Sequence, residues 1–134
     1  ILKSQGNPHS YLILRGGTVS GPNYQAGDIA KASAALTDQH LAPSLIVDCS
    51  HGNSEKDPQQ QTTVMASLCQ QIAAGQQAIR GVMLESHLRG GTQKVISGQA
   101  LQYGQSITDA CLSLDDTAPL LEKLAAAVRA ATSE

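Results

Sequence analysis

The sequence predicts an α/β protein built around a parallel sheet, because short apolar segments alternate along the chain with segments of helical character. Each apolar segment is a continuous run, which is typical of strands buried on both faces of a parallel sheet. Ligands of such proteins bind at the carboxyl ends of the strands, so the residues that follow the strands are the first candidates for function. We expect strands at 11–15, 44–49 and 79–85, and helices at about 25–39, 57–74 and 116–131.

Glycine and proline delimit the first strand and the first helix. Gly16-Gly17 ends the first apolar run, and Gly21-Pro22-Asn23 is a turn signal that precedes the helix. Pro43 comes just before the second strand. The helix itself is predicted from residues at helical spacing, which are Ile29, Ala32, Ala35 and Leu36.

The second helix has a start signal and a stop signal. Asp57 can cap free backbone N–H groups, and Pro58 is tolerated in a first helical turn. Gly75 is a residue typical of the position just after a helix. The apolar residues predicted along the helix are Val64, Leu68 and Ile72.

The last third of the chain is less regular. Residues 86–108 are rich in Gly, Gln and Ser without a strong period, so we expect a long loop of the functional or disordered kind. After it, Asp115-Asp116-Thr117 supplies acidic residues and a cap for the last helix. The residues expected on one side of that helix are Leu120, Leu121, Leu124, Ala127 and Val128.

Composition excludes several classes of function. The chain has 134 residues, 41% of them hydrophobic, and a net charge of −2, which predicts a packed domain and no nucleic-acid partner. No apolar stretch approaches the ~18 residues of a spanning helix, so no membrane partner is expected. Three cysteines without a CxxC pair favour a reducing cytoplasm. The start at Ile1 suggests a truncated or cleaved chain.

Three strands and three helices leave two strand edges unpaired and one sheet face uncovered. We therefore expect another chain, or further residues of a longer protein, to cover them. A homo-oligomer is one such arrangement, and we predict it.

Three residues near the predicted strand ends are candidate metal ligands. His51 follows the second strand, Glu85 ends the third, and Asp109 closes the long loop. One imidazole and two carboxylates suit Mn²⁺, Fe²⁺, Co²⁺ or Zn²⁺ better than Ca²⁺. Spacing alone leaves a structural interpretation open, in which His51 is a loop residue, Glu85 pairs with a cation and Asp109 caps a helix.

Arg15 is the candidate anion-binding residue. A guanidinium at a strand end, followed by two glycines, can grip a phosphate or carboxylate with paired donors. A structural ion pair explains it equally well. Asp48 could position the imidazole of His51 or cap a loop, and His87 is a minor candidate for a substrate contact.

Several separated motifs follow one another along nearly the whole chain. They are LRGG (14–17), PNY (22–24), DCSHGNS (48–54), QQIAAG (70–75), GVMLESHL (81–88), GTQ (91–93) and YGQSITDAC (103–111). With these motifs in this order, the chain resembles the C-terminal part of the class I 3-deoxy-D-arabino-heptulosonate 7-phosphate (DAHP) synthases.

The resemblance implies a TIM (β/α)8 barrel, of which this chain is the last three β/α units in a single domain. It implies an aldol-type condensation of phosphoenolpyruvate with erythrose 4-phosphate, the first step of the shikimate pathway. His51, Glu85 and Asp109 are then catalytic metal ligands for a divalent ion, and Arg15 binds phosphoenolpyruvate.

The chain also departs from the family pattern. The family's fourth metal ligand, a Cys near the first barrel strand, and its Lys-Pro-Arg-Thr motif have no counterpart here. Cys49, Cys69 and Cys111 do not lie in the matching context. We therefore expect the chain alone to be inactive. The alternatives are a non-catalytic fragment or assembly module, and a metal-dependent hydrolase that does not need Arg15.

Overall fold

The computed structural model describes residues 2–7 and 9–132; Ile1, on which the truncation hypothesis depends, lies outside them. Strands and helices alternate through the first two thirds of the chain, and short strands and a long helix follow. The elements are β1 (Leu12–Leu14), α1 (Ala26–Asp38), β2 (Leu45–Asp48), α2 (Gln60–Ala73), β3 (Ile79–Met83), β4 (Ser86–His87), β5 (Arg89–Thr92), β6 (Gln105–Ser106), β7 (Leu112–Ser113) and α3 (Leu114–Ala131).

The first three strands form a parallel sheet in the order β1-β2-β3. Leu14 pairs with Val47, and Asp48 pairs with Met83, so the three strands end at the same edge. The α/β class predicted from the sequence is confirmed. The residues that follow these strands share one edge of the sheet, where ligands of parallel α/β proteins bind.

The core lies between β2 and the helices. Leu45 and Val47 on β2 are fully buried, because this central strand has a neighbour on each side. The helices contribute aliphatic side chains at helical spacing, and fully burying each Val, Leu, Ile or Met side chain is worth about 1.5–3 kcal/mol. The buried helical residues of this core are Ile29, Ala32, Val64, Met65, Leu68, Ile72, Leu120 and Ala127.

Strand β1 is less buried than its sequence predicts. Leu12 is 40% and Ile13 is 43% exposed, so the expectation of burial on both faces is wrong for this strand. In the described part of the chain, β2 is the only strand that pairs with β1. Its other edge therefore carries apolar side chains and backbone groups that no strand covers.

The segment predicted to lack regular structure contains β4, β5 and β6. Strand β5 pairs in parallel with β6, and amide side chains supply much of the remaining bonding. The side chain of Gln93 donates to the carbonyls of Gln102 and Gln105 and accepts from Gln102 N. Gln105 donates to Gly90 O. The expectation of a structureless loop is wrong at these short strands, whereas residues 93–104 contain no helix or strand and are held by side-chain amides without any hydrophobic period.

The helices begin and end close to their predicted bounds, with differences at the caps and on the faces. Helix α3 is capped by Ser113, whose Oγ accepts from Asp116 N, and not by residues 115–117. The side chains predicted to be apolar contacts but found exposed are Ala35, Leu121 and Val128. Across the described residues, none of the helices has the length and apolar character required to span a bilayer.

Candidate metal centre

His51 lies in a tight loop immediately beyond β2. Its φ of 51° is in the left-handed region, which costs a non-glycine residue free energy and is commonly found at functional sites. Lys56 N donates to His51 O and closes the loop. The loop therefore holds the imidazole over the end of the sheet and does not let the chain continue as a strand.

Asp48, the last residue of β2, holds the His51 ring. Its carboxylate is fully buried and lies 2.7 Å from His51 Nδ1, while Ser50 donates to it through both N and Oγ. A carboxylate that accepts from Nδ1–H leaves the Nε2 lone pair free to bind a cation. Of the two roles left open for Asp48, positioning the imidazole is the one that the geometry supports.

The two predicted carboxylate ligands converge in front of that Nε2 atom. Glu85 Oε1 lies 3.4 Å from it and Asp109 Oδ2 lies 3.9 Å from it. One donor atom from each of the three residues falls within 4.8 Å of the others. Asp109 caps no helix here, since Ser113 caps the next one, so that part of the structural interpretation is wrong.

Asp109 reaches the cluster from the irregular part of the chain. An antiparallel bridge between Gly91 and Cys111 and a hydrogen bond from Thr92 Oγ1 to Thr108 O fix its turn beside β5. The side chain is 72% exposed, whereas that of Glu85 is only 24% exposed. Asp109 therefore faces solvent across the mouth of the site, and the other two predicted ligands form its floor.

The electrostatics of Glu85 favour a bound cation. The pKa of its carboxyl is raised overall. Burial makes the largest contribution, His51 lowers the pKa, and the negative charges of Asp109 and Asp48 raise it further. Arg15 lowers the pKa of the same group. A partly buried carboxylate beside further acids is costly to ionise, and a divalent ion among these donors relieves that cost.

The backbone of Glu85 is held by a residue that sequence analysis missed. Gln61, in the first turn of α2, accepts from Glu85 N at 2.8 Å and donates to Glu85 O at 3.1 Å. The signal available in the sequence was a glutamine in register with Val64, Met65 and Leu68, on the face that the helix buries.

Arg15 lies in the same cleft as the three predicted ligands. The cleft has a volume of about 820 Å³, and Arg15, His51, Glu85 and Asp109 all line it. Glu55 and Lys56, which sequence analysis did not single out, also line it. The structure thus brings together all four predicted site residues. His87 is not among the lining residues, and its Nδ1 accepts from Leu88 N.

Two glycines let the loops after β1 and β2 pack backbone to backbone. A Cβ on Gly52 would lie 2.5 Å from Gly17 N, and a Cβ on Gly16 would lie 2.6 Å from Gly52 C. Both distances are shorter than any real contact of a Cβ atom. Gly16 also has a φ of 65°, which glycine adopts without strain. The close approach sets the position of Arg15 relative to His51.

An asparagine pair ties the same loops together. Buried Asn53 donates through Nδ2 to Leu14 O and Asp48 O, and its Oδ1 accepts from Asn23 N at 2.7 Å. Asn23 in turn accepts from Gly16 N at 2.8 Å. The Leu14 carbonyl and the Gly16 N–H, on either side of Arg15, are therefore held in place. So is the carbonyl of Asp48, the residue that orients His51.

The fold and the cleft define a class: an α/β protein with a candidate His/Glu/Asp metal site and an arginine at the carboxyl edge of a parallel sheet. A family model described as the DAHP synthetase I family matches residues 2–122. The chain belongs to this family, so the resemblance inferred from its motifs is confirmed.

Individual relatives agree with that assignment. The Trp-sensitive phospho-2-dehydro-3-deoxyheptonate aldolase of Salmonella typhi is 55% identical over 128 residues, which are 96% of this chain and 36% of the relative. A putative enzyme of that name from Schizosaccharomyces pombe is 47% identical over 135 residues, 99% of this chain and 36% of the relative. This chain therefore spans little more than a third of these proteins.

A solved structure matches the fold over the same extent. The phospho-2-dehydro-3-deoxyheptonate aldolase of Francisella tularensis SCHU S4 superposes with a TM-score of 0.90 at 41% identity. The match covers 97% of this chain and 37% of that protein. The mixed α/β arrangement described above is thus shared with a family member.

Proposed function

We propose that His51, Glu85 and Asp109 bind one divalent metal ion, and that this centre carries the function of the chain. The observation behind the proposal is the convergence of three donor atoms within 4.8 Å in a cleft that also contains Arg15. One nitrogen and two carboxylate donors suit Mn²⁺, Fe²⁺, Co²⁺ or Zn²⁺. The Asp48 contact at Nδ1 supports the assignment, because it fixes the ring with Nε2 turned toward the two acids.

The chain then serves as the last three β/α units of a (β/α)8 barrel that condenses phosphoenolpyruvate with erythrose 4-phosphate. Membership of the family and the match with a solved family member support this assignment. The reaction joins C3 of phosphoenolpyruvate to the aldehyde carbon, water adds at C2, and phosphate leaves by C–O cleavage. The products are DAHP and inorganic phosphate.

Different residues of this chain bind phosphoenolpyruvate and position the metal ligands. Arg15 grips the anionic groups of phosphoenolpyruvate with paired donors, and the glycine contact behind it keeps that anion at a fixed distance from the metal ligands. Asp48 and Ser50 keep the His51 ring in one orientation. His51, Glu85 and Asp109 would hold a divalent ion, which would supply Lewis acidity toward the aldehyde oxygen.

A metal-dependent hydrolase remains the second candidate, since the same three ligands suit it. Arg15 favours the synthase, because an anion site on the wall of the cleft has a role in binding phosphoenolpyruvate and none in activating a water. A non-catalytic module is the third candidate. We expect no condensation by the chain alone, because it spans about 36% of its relatives and lacks the Lys-Pro-Arg-Thr motif of the family.

The test has two parts. Isothermal titration of the chain with Co²⁺ is expected to give one site, which His51→Ala and Glu85→Ala abolish. Asp28→Ala, in helix α1 and not among the residues that line the cleft, is expected to leave it intact. A chimaera then replaces the matching segment of the Salmonella typhi relative with this chain. We expect the chimaera to form DAHP and to lose that activity with His51→Ala. A chain that binds no Co²⁺, or a folded chimaera without activity, contradicts the proposal.

A further inference from the structure

We infer that Gln61 is a positioning residue of the metal centre, which acts by fixing the peptide groups on both sides of the Glu85 Cα atom. The inference rests on the proposed function of Glu85 as a metal ligand and names the helix residue that holds this ligand in place. Gln61 lines the cleft, and both of its side-chain hydrogen bonds go to the backbone of Glu85, so its effect on the metal centre passes through that residue.

Glu85 needs such support because it lies beyond the end of its strand. The last pairing between β2 and β3 joins Asp48 to Met83, and the last hydrogen bond of that ladder runs from Cys49 N to Met83 O. Leu112 N donates to Glu85 O from the far side. The N–H of Glu85 has no strand partner in the described chain, and the side chain of Gln61 is its acceptor.

The Gln61 amide is suited to this contact because it carries a donor and an acceptor side by side in one plane. It pairs with the N–H and the C=O of one residue, as a neighbouring strand would. The two distances, 2.8 Å and 3.1 Å, are those of ordinary hydrogen bonds. Glutamine is the only neutral side chain of this length that offers both a donor and an acceptor of this kind.

The contact is rigid from the helix side as well. Gln61 is fully buried, and the next turns of α2 are fixed by the buried side chains of Val64, Met65 and Leu68. Rotation of the Glu85 peptide would leave two buried polar groups of Gln61 without hydrogen-bond partners, which costs considerable free energy in a protein interior. The direction in which the Glu85 carboxylate leaves the backbone is thereby set by the core packing of α2.

The test compares Gln61→Met with a matched variant on the same helix. Methionine has nearly the same shape but no donor, and its sulfur is only a weak acceptor. Gln71→Met is the control, because Gln71 also bonds a backbone carbonyl, that of Tyr24, but does not reach the cleft. The probe is Co²⁺ alone, with affinity measured by isothermal titration and ligand geometry by the visible absorption spectrum of the bound ion.

We expect Gln61→Met to weaken Co²⁺ binding at least tenfold and to alter the spectrum, as loss of a group that orients a ligand commonly does. Gln71→Met is expected to bind Co²⁺ with the affinity of the unaltered chain, even where its unfolding midpoint falls as far as that of Gln61→Met. Equal affinity in Gln61→Met, or equal weakening in both variants, overturns the inference. Failure of the unaltered chain to bind Co²⁺ overturns the metal centre itself, and this inference with it.

A measurement on the unaltered chain provides a second test should Gln61→Met fail to fold. The Glu85 amide proton is expected to exchange slowly with solvent, because Gln61 Oε1 accepts it. Exchange as fast as that of the amide of Lys94, an exposed residue, contradicts the inference.

Discussion

The Nδ1 atom of His51 lies 2.7 Å from Oδ2 of Asp48, and the buried carboxylate of Asp48 is the reason that Nε2 of the imidazole faces the acids at 85 and 109. Asp48 is part of the β2 ladder, so the orientation of the ring is tied to the sheet itself. This contact yields the first prediction.

Asp48→Asn is expected to weaken Co²⁺ binding by the chain about 10- to 100-fold, because an amide holds the imidazole less firmly and adds no negative charge behind it. Isothermal titration measures the change. Asp116→Asn, which alters an exposed acid in α3, is the control. Unchanged affinity in Asp48→Asn would show that the ring is oriented by something else.

The features of this site divide into those that local sequence determines and those that only packing determines. Arg15, His51 and Glu85 were predictable as neighbours, because continuous apolar runs predict parallel strands and parallel strands end at one edge. Asp109 was less so, since its approach depends on the bridge between Gly91 and Cys111.

Gln61 and Asn53 were not predicted, for a physical reason. A polar residue becomes a positioning group only when the tertiary fold buries it against particular backbone groups, and propensity and periodicity carry no record of those partners. The same holds for residues 86–108, where amide side chains replace a hydrophobic pattern. The sequence by itself shows only that a polar residue, Gln61, interrupts the apolar face of the second helix.

The asparagine pair predicts a large loss of stability. Asn53→Ala leaves Leu14 O, Asp48 O and Asn23 N without their partner in a buried setting, so we expect the free energy of unfolding to fall by about 2–4 kcal/mol. Urea unfolding followed by circular dichroism measures it. Asn7→Ala, at an exposed residue, is expected to change stability by less than about 0.5 kcal/mol. Similar values for the two variants would contradict the role of Asn53.

The glycine contact predicts opposite effects at two glycines. Gly52→Ala places a methyl group 2.5 Å from Gly17 N, so the loops must separate, and we expect a loss of about 2 kcal/mol or more together with weaker Co²⁺ binding. Gly27→Ala, in α1 with no atom within 4 Å of the new Cβ, is expected to stabilise the chain by about 0.5–1 kcal/mol. Urea unfolding of both variants tests this, and tolerance of Gly52→Ala would refute the close packing of the loops.

The cysteines are expected to differ in reactivity. Burial, with a smaller contribution from Asp48, raises the pKa of Cys49 to about 12, and its side chain is inaccessible to solvent. Because the thiolate is the reactive form, Cys49 should react with a disulfide reagent at pH 8 far more slowly than Cys69 or Cys111, which are only half-buried. Mass spectrometry of the labelled chain identifies the sites, and rapid modification of Cys49 in the folded chain would contradict the burial described here.

The same pKa shift gives stability a definite dependence on pH. Cys49 keeps its proton in the folded state up to about pH 12 but loses it near pH 9 when unfolded. The unfolded state is therefore stabilised relative to the folded state as pH rises through that window. The free energy of unfolding should fall above pH 9, by up to about 1.4 kcal/mol per pH unit from this group. Cys49→Ala is expected to lose that part of the slope, and an identical slope in both proteins would contradict it.

Arg15 decides between the two enzymatic candidates. In the chimaera with the Salmonella typhi relative, Arg15→Ala is expected to lower DAHP formation by about 100-fold or more, because the anion is no longer held in attack geometry. Its metal content should be unchanged, since Arg15 contributes no metal-binding donor. Arg15→Lys keeps the charge but loses the paired donors, so we expect partial activity with a raised KM for phosphoenolpyruvate. Loss of DAHP formation with metal content unchanged counts against the hydrolase, whereas full DAHP-forming activity of Arg15→Ala would leave the guanidinium without a role in binding phosphoenolpyruvate.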